Sequence, residues 1–433
     1  MMKLLRFVFP GVFAVAMVFH AWVAGSSART VRVDYRLFTG LGNMDGHWNA
    51  LTVARDGKVY IGLAHHGAGG HAVYYDPSKD RMVDLGNLNK LCGQACMRIG
   101  PQSKVHAKFG EAKDGKIYFA THAGLWWNFA RFATVEGYPG GHWLVYDPRS
   151  GETEDLGIGA RYEGIITAAY DPVYNRMYGL NYPRGHFIYY DIATGQTHDM
   201  GRVNNWDSLC RTIGIDGQGN VYGTFGKGQI YKYDPRTDKL TNLPLFIPIR
   251  KKGISLGRDY NKSETAWREV VWDKQKKVFY GIDESAGYLF SFDPHAGKYG
   301  VVKKLGQLAI PSMADGRGVP YASLALTLGN DDKLYYAAPA QEFDFSGSKG
   351  VAASHLLVFN LKTDQMQDLG EMRVADGRGL MGAESAATAQ DGTIYFVGAM
   401  EAKPEPGKPF VYGGKIGSIP YRLALFIYHP EAK

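Results

Sequence analysis

One unit recurs seven times along this 433-residue chain, and nothing else in the sequence constrains the fold as tightly. The unit runs strand, Asp-Gly-type turn, strand with a tyrosine, loop, strand ending in Tyr-Asp-Pro, then Asp-Leu-Gly. The tyrosines of the second strand are Tyr60, Tyr118, Tyr178, Tyr222, Tyr280, Tyr335 and Tyr395, separated by 58, 60, 44, 58, 55 and 60 residues. The third strands end at VYYDP (73–77), LVYDP (144–148), IYYDI (188–192), YKYDP (231–235), FSFDP (290–294), LVFNL (357–361) and FIYHP (426–430). Asp-Leu-Gly or a close variant follows at 84–86, 155–157, 199–201, 304–306 and 368–370. Short strands at regular spacing with turn signals between them predict an all-β, seven-bladed β-propeller. No segment keeps a helical period. The seventh unit has no fourth strand after Pro430, whereas Val31–Phe38 is a spare strand near the start. Pairing that strand into the last blade closes the ring and removes an exposed edge.

Residues 1–28 read as a secretory signal: Lys3 and Arg6, an apolar run over Phe7–Val23, and a small-residue cleavage site at Ser26-Ser27-Ala28. Removal leaves 433 − 28 = 405 residues, roughly 58 for each of seven blades, so residues 29–433 are expected to form one propeller domain in a secreted or periplasmic protein. No other stretch approaches the ~20 apolar residues of a membrane span. Glycine makes up 55 of 433 residues, far above the usual ~7%, as a chain full of turns requires. The balance of 45% hydrophobic and 21% charged residues excludes a disordered or fibrous chain. A net charge of 49 − 42 = +7 favours anionic partners. In an exported protein that points to an acidic polysaccharide or oligosaccharide rather than nucleic acid, with no membrane association once the signal is removed. Of the three cysteines, Cys92 and Cys96 could form a bridge in an oxidising compartment. The absence of Cys-x-x-Cys-His rules out covalent haem.

Repeat alignment sorts residues by their place in the blade. The residues opening the first strands are Trp48 or Asn49, His106, Gly164, Arg211, Arg268, Ser323 and Glu384. Those following the second strands are His65 or His66, His122, Tyr182, Phe225, Asp283 or Glu284, Pro339 and Met400. Equivalent repeat sites usually carry similar residues. These diverge, and polar groups converging on one channel mouth are the default site hypothesis. A third position, five residues before each Asp or Asn of the third strand, holds His71, His142, His186, Gln229, Tyr288 and His355. Four histidines at one repeat site read as a packing device. His142 stands apart because it ends a long blade 2 insert, Leu125–Gly141, that also carries Trp126 and Trp127. A second insert, Gln341–Ser354, lies in blade 6.

A mouth holding Arg211, Arg268, His106 and His122 suits a sugar acid, because arginine grips a carboxylate with two parallel hydrogen bonds. The proton at C5 of a uronate is α to that carboxylate. Neutralising the carboxylate stabilises the charge left when the proton departs, and a Tyr or His in reach can move protons at C5 and O4. The outcome is β-elimination without a required cofactor. Hydrolysis would use two carboxylates, for which Asp283, Glu284 and Glu384 are the acids near the channel.

The runs Lys104-Val105-His106, Tyr118-Phe-Ala-Thr-His122, Tyr138-Pro-Gly-Gly-His142-Trp-Leu-Val-Tyr-Asp-Pro148, Tyr178-Gly-Leu-Asn-Tyr182-Pro183 and Cys210-Arg211-Thr-Ile-Gly resemble the β-propeller polysaccharide lyases. Those acting on ulvan are nearest in style, and oligogalacturonate lyases more distant. The resemblance implies cleavage of a uronic-acid polysaccharide, with His122 and His142 as the catalytic histidines, Tyr182 as acid/base and Arg211 as carboxylate neutraliser. Tyr189, Tyr190 and Arg202 compete for the last two roles. Substrate contacts are expected from His106, Arg268, Trp126, Trp127, His47 and Asn49. Some members of the family hold a structural zinc, for which no ligand set is assigned here. The competing reading is a non-catalytic propeller that binds an anionic glycan or a protein. Further alternatives are a lactonase or a quinone-dependent dehydrogenase.

Overall fold

The computed structural model describes residues 29–42, 44–66, 68–94, 101–124, 137–203, 210–249, 266–313, 319–341, 352–402 and 421–430, with two further short strands at 411–412 and 415–416. The signal-like segment 1–28, Cys96, Trp126, Trp127 and most of both inserts lie outside the described residues.

Among the described residues seven sheets form the ring, six of four antiparallel strands and one, blade 6, of four antiparallel strands with a fifth added in parallel. Blade 1 comprises Leu51–Val53, Val59–Leu63, His71–Asp76 and Arg81–Asn87, from the axis outward. Blades 2 to 7 follow at 110–161, 164–202, 214–246, 267–307, 326–373 and 380–428. The second and third strands are buried on both faces, and the fourth is half-exposed. The repeat tyrosines fill the cores between blades, each less than a tenth exposed. Burying an aromatic ring at the same place in every blade supplies the largest apolar contribution the repeat can make.

The Tyr-Asp-Pro signature has a turn function. Its acid accepts the backbone N–H two residues on: Asp76 from Ser78 (3.1 Å), Asp147 from Arg149 (2.9 Å), Asp234 from Arg236 (3.0 Å) and Asp293 from His295 (2.9 Å). Such side chain–backbone turns reverse the chain between third and fourth strands. Asn360 does the same for Lys362 (2.8 Å), which explains its place in the series.

Ring closure is more elaborate than a strand added to the last blade. Asp34–Leu37 does pair antiparallel with Tyr421–Tyr428 of blade 7, Tyr35 lying opposite Phe426. Thr30–Arg32, however, runs parallel to the outer strand of blade 6, Val31 opposite Met372. Val31 and Val33 are buried in the core shared by blades 6 and 7. Gly370 permits this docking, because at its φ of +113° a Cβ would lie 2.0 Å from the Arg29 carbonyl oxygen. One strap thus ties two blades.

Cys92 and Cys210 are buried free thiols. Among the described residues no helix is long and apolar enough to cross a membrane.

Candidate functional site

The end of the second strand in several blades hydrogen-bonds the segment that opens the next. His65 N donates to Ser103 O (2.9 Å), Ile165 N to Thr121 O (3.1 Å) and Ala322 N to Glu284 O (3.1 Å). Residues that follow one blade's second strand therefore meet residues that open the next blade, and the two sequence rings interleave around the mouth.

The first wall is a stack of rings across blades 1 to 3. Trp48 stacks on His106 (5.6 Å between centroids), His106 adjoins His122 (5.5 Å) and His122 stacks on Tyr182 (5.9 Å). His66 meets the Trp48 edge at 5.1 Å and is held by Asp45 through Nδ1 (2.7 Å). Gly164 makes room, since a Cβ there would lie 2.7 Å from the His122 ring. The outer rings, Trp48 and Tyr182, are half-buried, whereas His106 and His122 are buried beneath them. Burial first, then the nearby Lys104 and Arg211 charges, push both histidines well below the usual imidazole range and keep them neutral. His122 Nδ1 faces the Ala123 carbonyl (2.6 Å), which only accepts, so Nδ1 carries the proton and Nε2 is the basic nitrogen. Among the described residues the buried Nδ1 of His106 has no hydrogen-bond partner.

Lys104 completes this wall. Its ammonium lies 3.9 Å from the Trp48 ring centroid and donates to Gly124 O (3.2 Å). Sequence reasoning gave it no role. The signal was present, because residues two apart in extended chain point the same way, and Lys104 precedes His106 by two. Arg211, half-buried, sits across the ring, where Asn49 Nδ2 donates to its carbonyl at 3.4 Å. Deeper, the Lys108 ammonium of blade 2 bonds the fully buried Glu269 of blade 5 at 2.9 Å and ties opposite sides of the ring.

The second wall is acidic, from blades 5 to 7. Arg268 donates to Glu384 (2.8 Å) and to the Tyr321 hydroxyl (3.2 Å), and that hydroxyl donates to Glu284 (3.0 Å). Arg268, Glu284 and Glu384 are buried, and Tyr321 is partly exposed. Burial opposes the Arg268 charge, but Tyr321, Glu384 and Glu284 hold it on. Arg268, expected to grip a substrate carboxylate, is paired here with the Glu384 carboxylate and the Tyr321 hydroxyl.

Other expected residues are placed differently. His47 is sealed from solvent, its Nδ1 at Gly62 O (2.7 Å) and Nε2 at Ser385 Oγ (2.6 Å), and burial pushes it down to about 3. It joins blades 1 and 7 and presents no face to a substrate. His142 does not join the stack. Its Nδ1 meets Asp155 (2.9 Å) and its Nε2 meets Gln94 (3.0 Å), so both nitrogens are used. The same contact recurs as His71–Asp84 (3.0 Å), His186–Asp199 (2.7 Å) and His355–Asp368 (2.9 Å). Each acid opens the Asp-Leu-Gly-type run and also accepts from its glycine N–H, as Asp155 does from Gly157 (2.9 Å). The histidines at this repeat site are thus one clasp between third and fourth strands. Tyr189 packs on His198 (4.6 Å), Tyr190 lies in the core shared by blades 2 and 3, and Arg202 is exposed on the outer strand of blade 3. Of the competing tyrosines, Tyr182 is the one on the channel wall.

Cys92, His142 and Asp155 place one sulfur, one nitrogen and one oxygen ligand atom within 4.8 Å of one another. The donor types suit zinc. The His142 ring does not, because Asp155 and Gln94 occupy both its nitrogens, and binding a metal would break the clasp. The site as it stands therefore does not fit the zinc implied by the lyase resemblance.

The sequence matches no known family profile and no curated protein. Solved structures share the fold. U3-55K aligns with TM-score 0.54 at 11% identity, covering 92% of this chain and 98% of that one. The RRP9 WD40 repeats align with TM-score 0.53 at 11% identity, covering 93% and 98%. The extracellular domain of a one component system from B. thetaiotaomicron aligns with TM-score 0.52 at 13% identity, covering 91% of this chain but only 39% of that one. At 11–13% identity the likeness shows the fold alone, a seven-bladed β-propeller, and carries no activity with it.

Proposed function

We propose that the protein is an exported lyase that cleaves a uronic-acid-containing polysaccharide by β-elimination. The observation that carries the reading is the stack Trp48–His106–His122–Tyr182 with Lys104 and Arg211 at the same mouth. Trp48, half-buried, is an aromatic contact for a sugar ring at this mouth. Lys104 and Arg211 neutralise the uronate carboxylate. That neutralisation lowers the cost of the charge that develops when the C5 proton leaves. Tyr182, oriented by its stacking on His122, exchanges a proton at the bond being broken. Arg268 and His47 act by holding the walls in place.

The burial of His106 and His122 favours a second reading, glycan binding without cleavage on the half-buried Trp48 and Tyr182 rings. Incubation of the purified protein with a panel of uronic-acid polymers separates the two. The lyase reading expects a rise in the ultraviolet band of an unsaturated uronate, lost in Tyr182→Phe. Retained binding with no rise on any polymer leaves the binding module.

A further inference from the structure

Glu284, Tyr321, Arg268 and Glu384 come from three different blades, yet they form one connected group at the mouth. We propose that Tyr321, backed by Glu284, is a second catalytic group: the base that removes the C5 proton, while Tyr182 on the other wall protonates O4. This assignment rests on the lyase reading above.

Three features of the group support the role. Tyr321 is its accessible member, and the carboxylate behind it is buried. The hydroxyl is fixed from two sides, donating to Glu284 at 3.0 Å and accepting from Arg268 at 3.2 Å, with the guanidinium carbon 4.5 Å from the ring centroid. Arg268 is itself anchored on Glu384, which also accepts the Leu324 backbone N–H (3.3 Å). A purely structural ion pair of Arg268 with Glu384 would not need a half-open phenol bridging it to a second buried carboxylate.

The proton path is balanced. The phenolic oxygen of Tyr321 takes the C5 proton as its own proton passes to the Glu284 carboxylate. The C5–H electron pair becomes the C4=C5 double bond, and the C4–O4 bond breaks with its electron pair going to O4. O4 receives the Tyr182 proton. Tyr321 ends neutral, Glu284 ends protonated, and solvent returns one proton from Glu284 to Tyr182. Two walls each moving one proton fit a mouth with a tyrosine on either side.

The test uses the polymer that the wild-type protein cleaves and a matching uronate with an aryloxy group at C4, which leaves without needing a proton. Tyr321→Phe and Glu284→Gln both preserve volume. We expect each to lower kcat on the polymer about 10²-fold or more with KM within threefold. The aryloxy substrate should restore Tyr182→Phe and not Tyr321→Phe, because a better leaving group replaces an acid but not a base. Wild-type rates in Tyr321→Phe and Glu284→Gln, with Tyr182→Phe inactive, overturn the second base and leave the lyase reading standing. Rescue of Tyr321→Phe by the aryloxy group also overturns it. No product from the wild type on any polymer overturns both.

Discussion

Two populations of histidine share this propeller, and their surroundings are opposite. His71, His142, His186 and His355 occupy one repeat position, each bound through Nδ1 to an aspartate thirteen residues on. His106 and His122 occupy positions that most other blades fill with different residues, blade 1 alone repeating a histidine at the His122 position, and they have one another and aromatic rings as neighbours. The first group repeats because every blade has to join its third strand to its fourth. Blades 4 and 5 do without histidine, Gln229 bonding Leu243 O (2.9 Å) and the Lys304 ammonium lying over Tyr288 (3.8 Å). On the proposed function, the second group diverges because one site on the ring has to differ from the rest, so that recurrence marks architecture and divergence marks chemistry.

The comparison breaks most visibly in activity. Tyr182→Phe should lower turnover about 10²- to 10⁴-fold with little change in melting temperature. Tyr190→Phe, buried in a core, should leave turnover unchanged when assayed on the uronate polymer. The next largest effect is on stability. Lys108→Met strands the fully buried Glu269 carboxylate and should cost on the order of 3 kcal/mol in denaturant unfolding.

Acid sharpens the contrast further. His47, His106 and His122 are held below their unfolded value near 6.5, so the unfolded chain binds the extra protons. Their contribution to stability is complete above about pH 6.5 and is lost as pH falls below it, by up to about 1.4 kcal/mol per pH unit for each. Denaturant midpoints measured between pH 7 and pH 4 should show that slope, and His47→Gln should reduce it. The smallest effect belongs to a half-exposed clasp. His186→Ala should cost about 0.5–1 kcal/mol and leave activity within twofold.

Much of the ring was readable in sequence because its devices are local. Tyr-Asp-Pro is a turn, the second-strand tyrosine is a core ring, and their spacing counts blades. The clasp was readable too, since 71/84, 142/155, 186/199 and 355/368 share one separation, but the long insert before His142 drew attention to its position instead. The split strap was not readable, because the alternation of Val31 and Val33 suits either blade edge and the φ of Gly370 is invisible in a string of letters. The acidic wall was readable in part. Repeat alignment brings Arg268, Glu284 and Glu384 to the channel, but Tyr321, which joins Arg268 to Glu284, lies in the segment before the first strand of blade 6 and matches no repeat position.

The most direct measurement compares His122→Ala with His142→Ala, following product absorbance on a uronate polymer and thermal unfolding side by side. The account predicts that His122→Ala loses the activity while keeping most of its stability, and that His142→Ala melts earlier but still turns over. An inactive His142→Ala protein with an unchanged melting temperature would contradict it.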